Sequence, residues 1–164
     1  EGVTGRFADY DYLHSSNHLL KEIASKGYYS NSFHVPVDVS ISSYEKIALE
    51  SEFHSVCNGG CITYVEFSEM PASNTEAILD MVDYAFEKGC NYFGINFPLD
   101  NCTTCGHISR IGEACPRCGG HDIKRLRRVS GYLAESDRFT PGKYKEMLQR
   151  IGHDRINSYS SEEL

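Results

Sequence analysis

Two C-x-x-C pairs separated by nine residues constrain this chain more than any other feature of its sequence. Their cysteines are Cys102, Cys105, Cys115 and Cys118. Four thiolates at this spacing fill the tetrahedral shell of a structural metal site, and Gly106, Gly119 and Gly120 permit the tight turns that it requires. Zn²⁺ is the predicted ion, iron is the alternative, and two redox-active pairs are the interpretation without a metal. The nearby His107 and His121 are predicted not to be ligands.

Composition places the chain among ordinary globular proteins. Its 164 residues, 40% apolar and 24% charged, suit one domain or one domain with a small module. Seven cysteines, four of them in C-x-x-C pairs, favour metal binding in a reducing compartment, so we expect a cytoplasmic protein. No apolar run reaches the roughly 18 residues needed to span a bilayer, and no membrane partner is expected. The net charge of −7 counts against a dedicated nucleic-acid-binding protein.

Residues 1–100 alternate between helical and strand patterns. Helices are predicted over 16–27, 42–56 and 73–89, and strands over 28–40, 61–67 and 90–99. The predicted helix starts are Ser16 or Asn17, Ser43, and a capping box from Ser73 to Glu76. Three successive helix–strand units predict an α/β layer or barrel segment with mostly parallel strands. Such a thin sheet needs more chain, or a partner, to cover both of its faces.

Apolar residues at helical spacing predict which side of each helix is buried. In the second and third helices these are Ile47, Ala48 and Phe53, and Ile78, Met81, Val82, Ala85 and Phe86. Near the C-terminus, Thr140 and Pro141 predict the start of a further helix that ends at Gly152. Its predicted apolar side consists of Tyr144, Met147, Leu148 and Ile151. The residues after Gly152 are predicted to form a polar tail.

A basic run shortly before Gly131 is open to two interpretations from the residues alone. Its cations are Lys124, Arg125, Arg127 and Arg128. They make either a phosphate-binding edge, and hence a zinc-ribbon nucleic-acid-binding module, or a solvated charged edge beside a turn at Gly131. The acidic balance of the chain, and the absence of aromatic residues interleaved with the cations, count against nucleic acid.

A more specific interpretation comes from the motif RVSGYL at 128–133, which follows the two cysteine pairs and precedes FTPGK at 139–143. With YYSNSFHVPVD at 28–38 and NYFGINFPLDNCTTCG at 91–106, these residues resemble the C-terminal region of the anaerobic (class III) ribonucleoside-triphosphate reductases, which are glycyl radical enzymes. The resemblance implies an α/β fold: the C-terminal part of a ten-stranded α/β glycyl-radical-enzyme barrel over 1–100, then a small four-cysteine zinc ribbon over 101–122. A glycyl radical loop over 123–139 and a C-terminal helix with a polar tail over 140–164 complete the implied layout.

The resemblance assigns Gly131 as the residue that stores the radical. A radical on an α-carbon is stabilised when the carbon is planar and conjugated with both neighbouring peptide groups, and only glycine has no side chain that clashes with this geometry. The implied sequence starts when a radical-SAM activating enzyme abstracts a hydrogen atom from Gly131. The glycyl radical then generates a thiyl radical on a cysteine outside this chain. This thiyl radical removes the 3′-hydrogen of the ribonucleotide, and formate or a thioredoxin-type system supplies the electrons that reduce it to the deoxyribonucleotide for DNA replication under anaerobic conditions.

The implied partners are the N-terminal portion of the reductase, with its thiyl cysteine and effector site, the activase, the ribonucleotide and a second copy in a homodimer. The chain opens at Glu1 and is interpreted as part of a longer catalytic subunit or as a separately encoded part, inactive on its own. The basic run is then either a docking edge for the activase or a solvated edge. Cys57 and Cys61 are not assigned the thiyl role, and Cys90 is predicted to be a buried apolar residue.

Overall fold

The chain is a mixed α/β protein, as the sequence predicts. The computed structural model describes residues 3–71, 74–129 and 132–155. The helices are α1 (Val3–His14), α2 (His18–Ala24), α3 (Ser43–His54), α4 (Thr75–Glu87) and α5 (Pro141–Gln149). The strands are β1 (Thr63–Glu66), β2 (Phe93–Asn96), β3 (Leu99–Cys102), β4 (Ile108–Ser109), β5 (Ile123–Val129) and β6 (Tyr132–Glu135). Short 3₁₀ turns lie at Ser136–Arg138 and His153–Arg155. Within the described ranges, no helix is long and apolar enough to cross a membrane.

The chain divides into two compact units with different sheets. The first unit comprises Glu1–Val37 and Leu99–Arg150, and the second comprises Asp38–Pro98 and Ile151–Leu164. The first contains an antiparallel sheet in the order β4-β3-β5-β6, whereas the second contains the parallel pair β1-β2. The predicted strand over 90–99 is therefore split at Pro98 between β2 and β3, which belong to separate sheets. The predicted boundaries at 100, 122 and 139 stay predictions.

In the second unit, β1 and β2 pack with α3 and α4 around a small apolar core. Its buried members are Ile47, Val65, Met81, Ala85 and Cys90. Cys90 is thus buried as predicted. Phe53 and Phe86, predicted to face inward, are instead exposed to 44% and 58%. The predicted apolar sides of α3 and α4 are consequently wrong at these two positions.

The buried side of α3 is polar, which explains why its apolar spacing misleads. Lys46, Glu50 and His54 follow one another at four-residue intervals, so they share one side of the helix, and all three are buried. Lys46 forms an ion pair with Glu50. His54 Nδ1 accepts the backbone N–H of Asn91 at 3.0 Å, so its Nε2 carries the proton that is donated to Thr63 Oγ1 at 3.0 Å. The charges of Lys46 and Glu50 are thus paired, and both ring nitrogens of His54 are hydrogen-bonded, as burial requires.

Side-chain caps fix where α3 and α4 begin. Ser42, one residue before the predicted Ser43, accepts the N–H of Glu45, and the Glu45 carboxylate accepts the N–H of Ser42 in a capping box. In α4 the capping residue is Asn74, whose Oδ1 accepts the N–H of Ala77 at 3.1 Å. The predicted box from Ser73 to Glu76 is therefore replaced by an Asn cap, and Ser73 itself lies outside the described residues.

The strand predicted over 28–40 does not form. Ser32 adopts φ = 53°, which interrupts extended backbone, and Pro36 offers no N–H to a ladder. The tyrosines of this segment bind helices instead of a sheet. The Tyr28 hydroxyl donates to Gln149 Oε1 at 2.6 Å, and the Tyr29 hydroxyl donates to Asp11 Oδ2 at 2.7 Å.

The C-terminal predictions are correct for the start of α5 and wrong for two residues of its predicted apolar side. Thr140 is the N-cap and Pro141 the first helical residue. Tyr144 and Leu148 are exposed, whereas Glu146 is buried because Arg150 Nη2 donates to its carboxylate at 2.7 Å.

Part of the predicted polar tail is also packed. In the second unit, His153 is buried and its Nδ1 accepts the N–H of Glu66 at 2.9 Å. Asp154 accepts both the N–H and the hydroxyl of Ser68. These bonds give residues 153–154 a fixed place beside β1, while 156–164 lie outside the described residues.

The glycine of the FTPGK motif has a packing reason. A Cβ atom on Gly142 would lie 2.9 Å from Gly5 Cα and 3.0 Å from Gly27 O, so α5 approaches α1 and the end of α2 at backbone contact. We expect Gly142→Ala to lower the free energy of unfolding by about 1–3 kcal/mol, because backbone atoms must move apart. The midpoint of thermal unfolding measures this. Gly59→Ala is the control, since a Cβ there meets no atom within 4 Å. Equal midpoints for the two variants would contradict the packing role.

Candidate metal centre and the strands that flank Gly131

The four predicted metal ligands come together in one cluster. Cys102 ends β3, Cys105 follows it in a turn, and Cys115 and Cys118 occupy a second turn before β5. The Sγ atoms of Cys102 and Cys118 are 3.6 Å apart, those of Cys105 and Cys115 are 3.7 Å apart, and all four lie within 4.8 Å of one another. The four thiols are therefore close enough together to act as one compact set of soft ligands.

The two turns that carry the cysteines have the same backbone bonding. Gly106 N–H donates to the carbonyl of Cys102, and Gly119 N–H donates to the carbonyl of Cys115, each at 2.8 Å. Gly106 and Gly119 have φ values of 71° and 72°, in the left-handed region that favours glycine. Each C-x-x-C-G segment is therefore a local turn that the sequence determines on its own, and this repetition presents the thiol pairs to each other.

Within the cluster, Cys102 is the cysteine that most readily becomes a thiolate, and Cys118 keeps its proton. Burial raises the pKa of Cys102, but N–H groups of Cys105 and Thr104 and the Cys118 thiol donate to its sulfur and lower the pKa to about 6. At Cys118 the N–H of Gly120 lowers the pKa, yet the hydrogen bonds with the Cys105 and Cys102 thiols prevail and raise it to about 12. Without a cation the protons are thus shared unequally, and a bound cation replaces them.

The cluster fits a tetrahedral zinc ion. With zinc–sulfur bonds of about 2.3 Å, the sulfurs of a tetrahedron lie about 3.8 Å apart, close to the shortest separations found here. The neighbouring histidines are engaged elsewhere, as predicted for bystanders: His107 Nε2 bonds with Ser109 Oγ at 3.0 Å, and His121 Nδ1 bonds with the carbonyl of Glu113 at 3.0 Å. The four thiols can therefore hold a metal such as zinc with no position left open for substrate.

Two paired strands, β5 and β6, flank Gly131 in the chain, and β5 starts beside this cluster. Ile123, the first residue of β5, lies opposite Cys102, and Val129, its last residue, lies opposite Tyr132 of β6. Ser130 and Gly131, which separate the two strands in the chain, lie outside the described residues. The assignment of the radical to Gly131 therefore stays a prediction, whereas its flanking strands are part of the antiparallel sheet.

The arginines of the basic run are committed within the chain. Asp100 of β3, fully buried, accepts Arg127 Nη1 at 2.6 Å and Arg125 Nη1 at 3.3 Å. Arg125 also donates to the carbonyls of Ile111 at 2.8 Å and Gly112 at 2.7 Å. These bonds engage both Nη atoms of Arg125 and Nη1 of Arg127 within the chain, so a phosphate or a docking protein would have to compete with them, and they disfavour both of those interpretations of the run.

Lys124 lies on the opposite side of β5 from these arginines. It forms an exposed ion pair with Glu135 of β6 at 2.9 Å. The hydrogen bond between them raises the pKa of Lys124 and lowers the pKa of Glu135. Exposed pairs of this kind contribute little to stability.

Asp100 is a functional candidate that reasoning from the sequence does not single out. It precedes the first cysteine pair by two positions, and the arginines that it binds alternate along β5, so they share a side of the strand. The sequence signals that could have found it are a single acidic residue just before the first C-x-x-C pair and the R-x-R pattern at 125–127.

The remaining cysteines form no part of this cluster. In the second unit, burial and a hydrogen bond with the Cys57 thiol raise the pKa of Cys61, so these two thiols adjoin across the NGG turn. Burial raises the pKa of Cys90. Raised values describe protonated thiols, which are poor nucleophiles.

Comparison with known proteins gives a consistent result. A family model described as anaerobic ribonucleoside-triphosphate reductase matches residues 1–153. The anaerobic ribonucleoside-triphosphate reductase of Enterobacteria phage T4 is 38% identical over 144 residues, which cover 82% of this chain and 24% of that protein. The one from Escherichia coli (strain K12) is 38% identical over 145 residues, or 82% of this chain and 20% of that protein.

A solved structure of an anaerobic ribonucleotide reductase agrees in fold, with a TM-score of 0.63 and 26% identity over 77% of this chain and 20% of that one. The chain thus spans about a quarter or less of the length of the curated relatives that it matches. Because the family model matches almost the whole of it, the chain belongs to the anaerobic ribonucleoside-triphosphate reductase family, a family of oxidoreductases.

Proposed function

We infer that this chain is the part of an anaerobic ribonucleotide reductase that bears the glycyl radical. Gly131 is the radical residue, and Cys102, Cys105, Cys115 and Cys118 hold a structural zinc ion in a ribbon beside it. Reduction of ribonucleotides belongs to the whole protein, and this chain contributes the stored radical. The family match and the RVSGYL motif at 128–133 support the proposal.

The path of β5 is the observation that carries the proposal. This strand starts opposite Cys102 and ends at Val129, two residues before Gly131, and β6 resumes directly after it at Tyr132. A paired sheet therefore links the thiol cluster to the backbone on both sides of the glycine. Rigid elements hold a reactive atom more accurately than a free loop does, so this link suits a residue whose Cα must meet a distant thiol.

The proposed partners follow from membership of the family. A radical-SAM activating enzyme removes a hydrogen atom from Gly131, and the radical generates a thiyl radical on a cysteine of the N-terminal portion. That portion also carries the effector site and binds the ribonucleotide. The complete enzyme has the barrel fold of its family and is a cytoplasmic homodimer. Zinc held by four thiolates supplies fold stability and no substrate chemistry.

The nucleic-acid-binding alternative has lost its support. Arg125 and Arg127 are bound to Asp100 and to backbone carbonyls, and Lys124 is paired with Glu135. A phosphate would have to displace these intramolecular partners. The family match also points to an enzyme rather than to a binding module.

Anaerobic activation tests the proposal directly. The protein as it occurs in the cell is mixed with its radical-SAM activase, S-adenosylmethionine and a reductant, and its EPR spectrum is recorded. We expect a doublet, because the single hydrogen left on the Gly131 α-carbon splits the signal of the unpaired electron. In protein labelled with α-deuterated glycine, the doublet should collapse to a single line. A doublet that survives deuteration, or no signal with an activase proven on another substrate, would sink the assignment.

A further inference from the structure

Asp100 joins three segments of the first unit at one buried carboxylate. Its Oδ1 accepts Arg127 Nη1 of β5, and its Oδ2 accepts the N–H of Ile111 at 2.8 Å as well as Arg125 Nη1. Ile111 lies between the two cysteine turns and packs in the apolar cluster with Cys102 and Cys115. The carboxylate, fully buried on β3, thereby ties the metal centre to the strand that leads to Gly131.

Arg127 is where β5 leaves the rest of the sheet. Pairing between β3 and β5 ends at Leu99 opposite Leu126, and beyond that point the described residues of β5 pair only with β6. Arg127 reaches back across this end: besides Asp100, its Nη1 donates to the carbonyl of Leu99 at 3.0 Å. The β5–β6 pair that leads to Gly131 is thus anchored at its base by a buried ion pair.

We propose that Asp100 and Arg127 are positioning residues for the glycyl radical: their ion pair holds the base of the β5–β6 pair to the metal ribbon and so fixes where Gly131 is presented. The role rests on the proposed function of Gly131. Hydrogen-atom transfer between a Cα and a thiol or an activase needs near-contact geometry, and small displacements at the base of a strand pair grow toward its end. The ion pair acts through position and touches no substrate.

Asp100→Asn tests the anchor with almost no change in size. An amide has one acceptor oxygen, so its NH₂ group must face either Arg127 or the Ile111 N–H and Arg125, donor against donor. Arg127, whose side chain is only 19% exposed, then also lacks a balancing carboxylate, which is costly. We expect the substituted protein to retain zinc, because its four thiols are unchanged, and to give a several-fold lower radical yield per zinc after activation.

Arg127→Gln and Arg127→Lys extend the test in case Asp100→Asn fails to fold. Glutamine loses the charge and should resemble Asp100→Asn, whereas lysine keeps the charge and should restore part of the radical yield. Lys124→Gln is the matched control, since Lys124 lies on the same strand and makes only an exposed ion pair with Glu135. Its radical yield and zinc content should equal those of the unsubstituted protein.

Hydrogen exchange separates the anchor from the radical chemistry. In Asp100→Asn, amides of the peptide covering 123–135 should exchange roughly tenfold to a hundredfold faster, with those of Lys124→Gln unchanged. Hydrogen exchange reports on the Asp100–Arg127 ion pair whether or not Gly131 carries a radical. It therefore distinguishes a failure of the proposed positioning role from a failure of the proposed function. Three results would each overturn the positioning role: unchanged exchange, an unchanged or higher radical yield at normal zinc content, or a radical yield that falls only in proportion to zinc.

Discussion

Replacing Gly131 with alanine is expected to abolish both the radical signal and the cleavage of the chain by oxygen. A methyl group on the α-carbon clashes with the neighbouring peptide groups when the carbon becomes planar, so the delocalisation that stabilises the radical is lost. In the activated unsubstituted protein, dioxygen should add to the α-carbon radical and break the backbone there. Air exposure after activation should therefore give an N-terminal fragment that ends at or near Ser130.

Mass spectrometry and EPR measure the two effects on the same samples. Gly112→Ala is the control, because a Cβ at that position meets no atom within 4 Å and its substitution should preserve both the doublet and the fragment. A doublet in Gly131→Ala would place the radical on another residue. An intact mass in air, after the doublet has been recorded, would contradict a radical on the backbone.

The sequence predicts best those features that neighbouring residues determine alone. The cysteine cluster forms from two C-x-x-C-G turns, each closed by a bond between residues four apart, so spacing is sufficient to predict it. The start of α5 depends only on Thr140 and Pro141. For such features the distant parts of the chain add little, and pattern and structure agree.

Features that depend on contacts between residues distant in the chain cannot be predicted from the spacing of apolar and charged residues. His54 is buried on α3 because its ring meets Thr63 and Asn91, 9 and 37 positions away in the chain, whereas hydrophobic spacing selects the exposed Phe53 instead. Burial of a polar side chain is favourable only when a partner bonds to it, so it can be predicted only when that partner is known.

The basic run misleads for the same reason. Its arginines resemble a docking edge until Asp100, twenty-five positions away from Arg125 in the chain, is placed opposite it across β3 and β5. Alternation along a strand indicates which residues share a side, but the register of the partner strand decides what they meet.

Loss of one cysteine ligand is expected to have the second large effect, on the fold around the cluster rather than on the radical alone. The buried apolar cluster there consists of Cys102, Ile111 and Cys115, with Cys105 and Ile123 packed against it, so most of this core consists of the proposed metal ligands. Structural zinc sites contribute about 10–16 kcal/mol of apparent binding free energy at neutral pH. Without the ion, three cysteines and two isoleucines are too small a core to hold β3, β4 and β5 together.

Cys115→Ser should therefore lose its zinc to a chelator that leaves the unsubstituted protein with one ion per chain, and amides over 99–129 should lose their protection from exchange. Zinc analysis after chelator treatment and hydrogen exchange measure the two consequences. Cys57→Ser, which removes a thiol outside the cluster, should keep both the ion and the protection. Full retention of zinc by Cys115→Ser would contradict the four-thiolate site. Because β5 leads from this cluster to Gly131, the Cys115→Ser protein should also activate poorly, and a normal radical yield from zinc-free protein would show that the glycine is positioned without the metal.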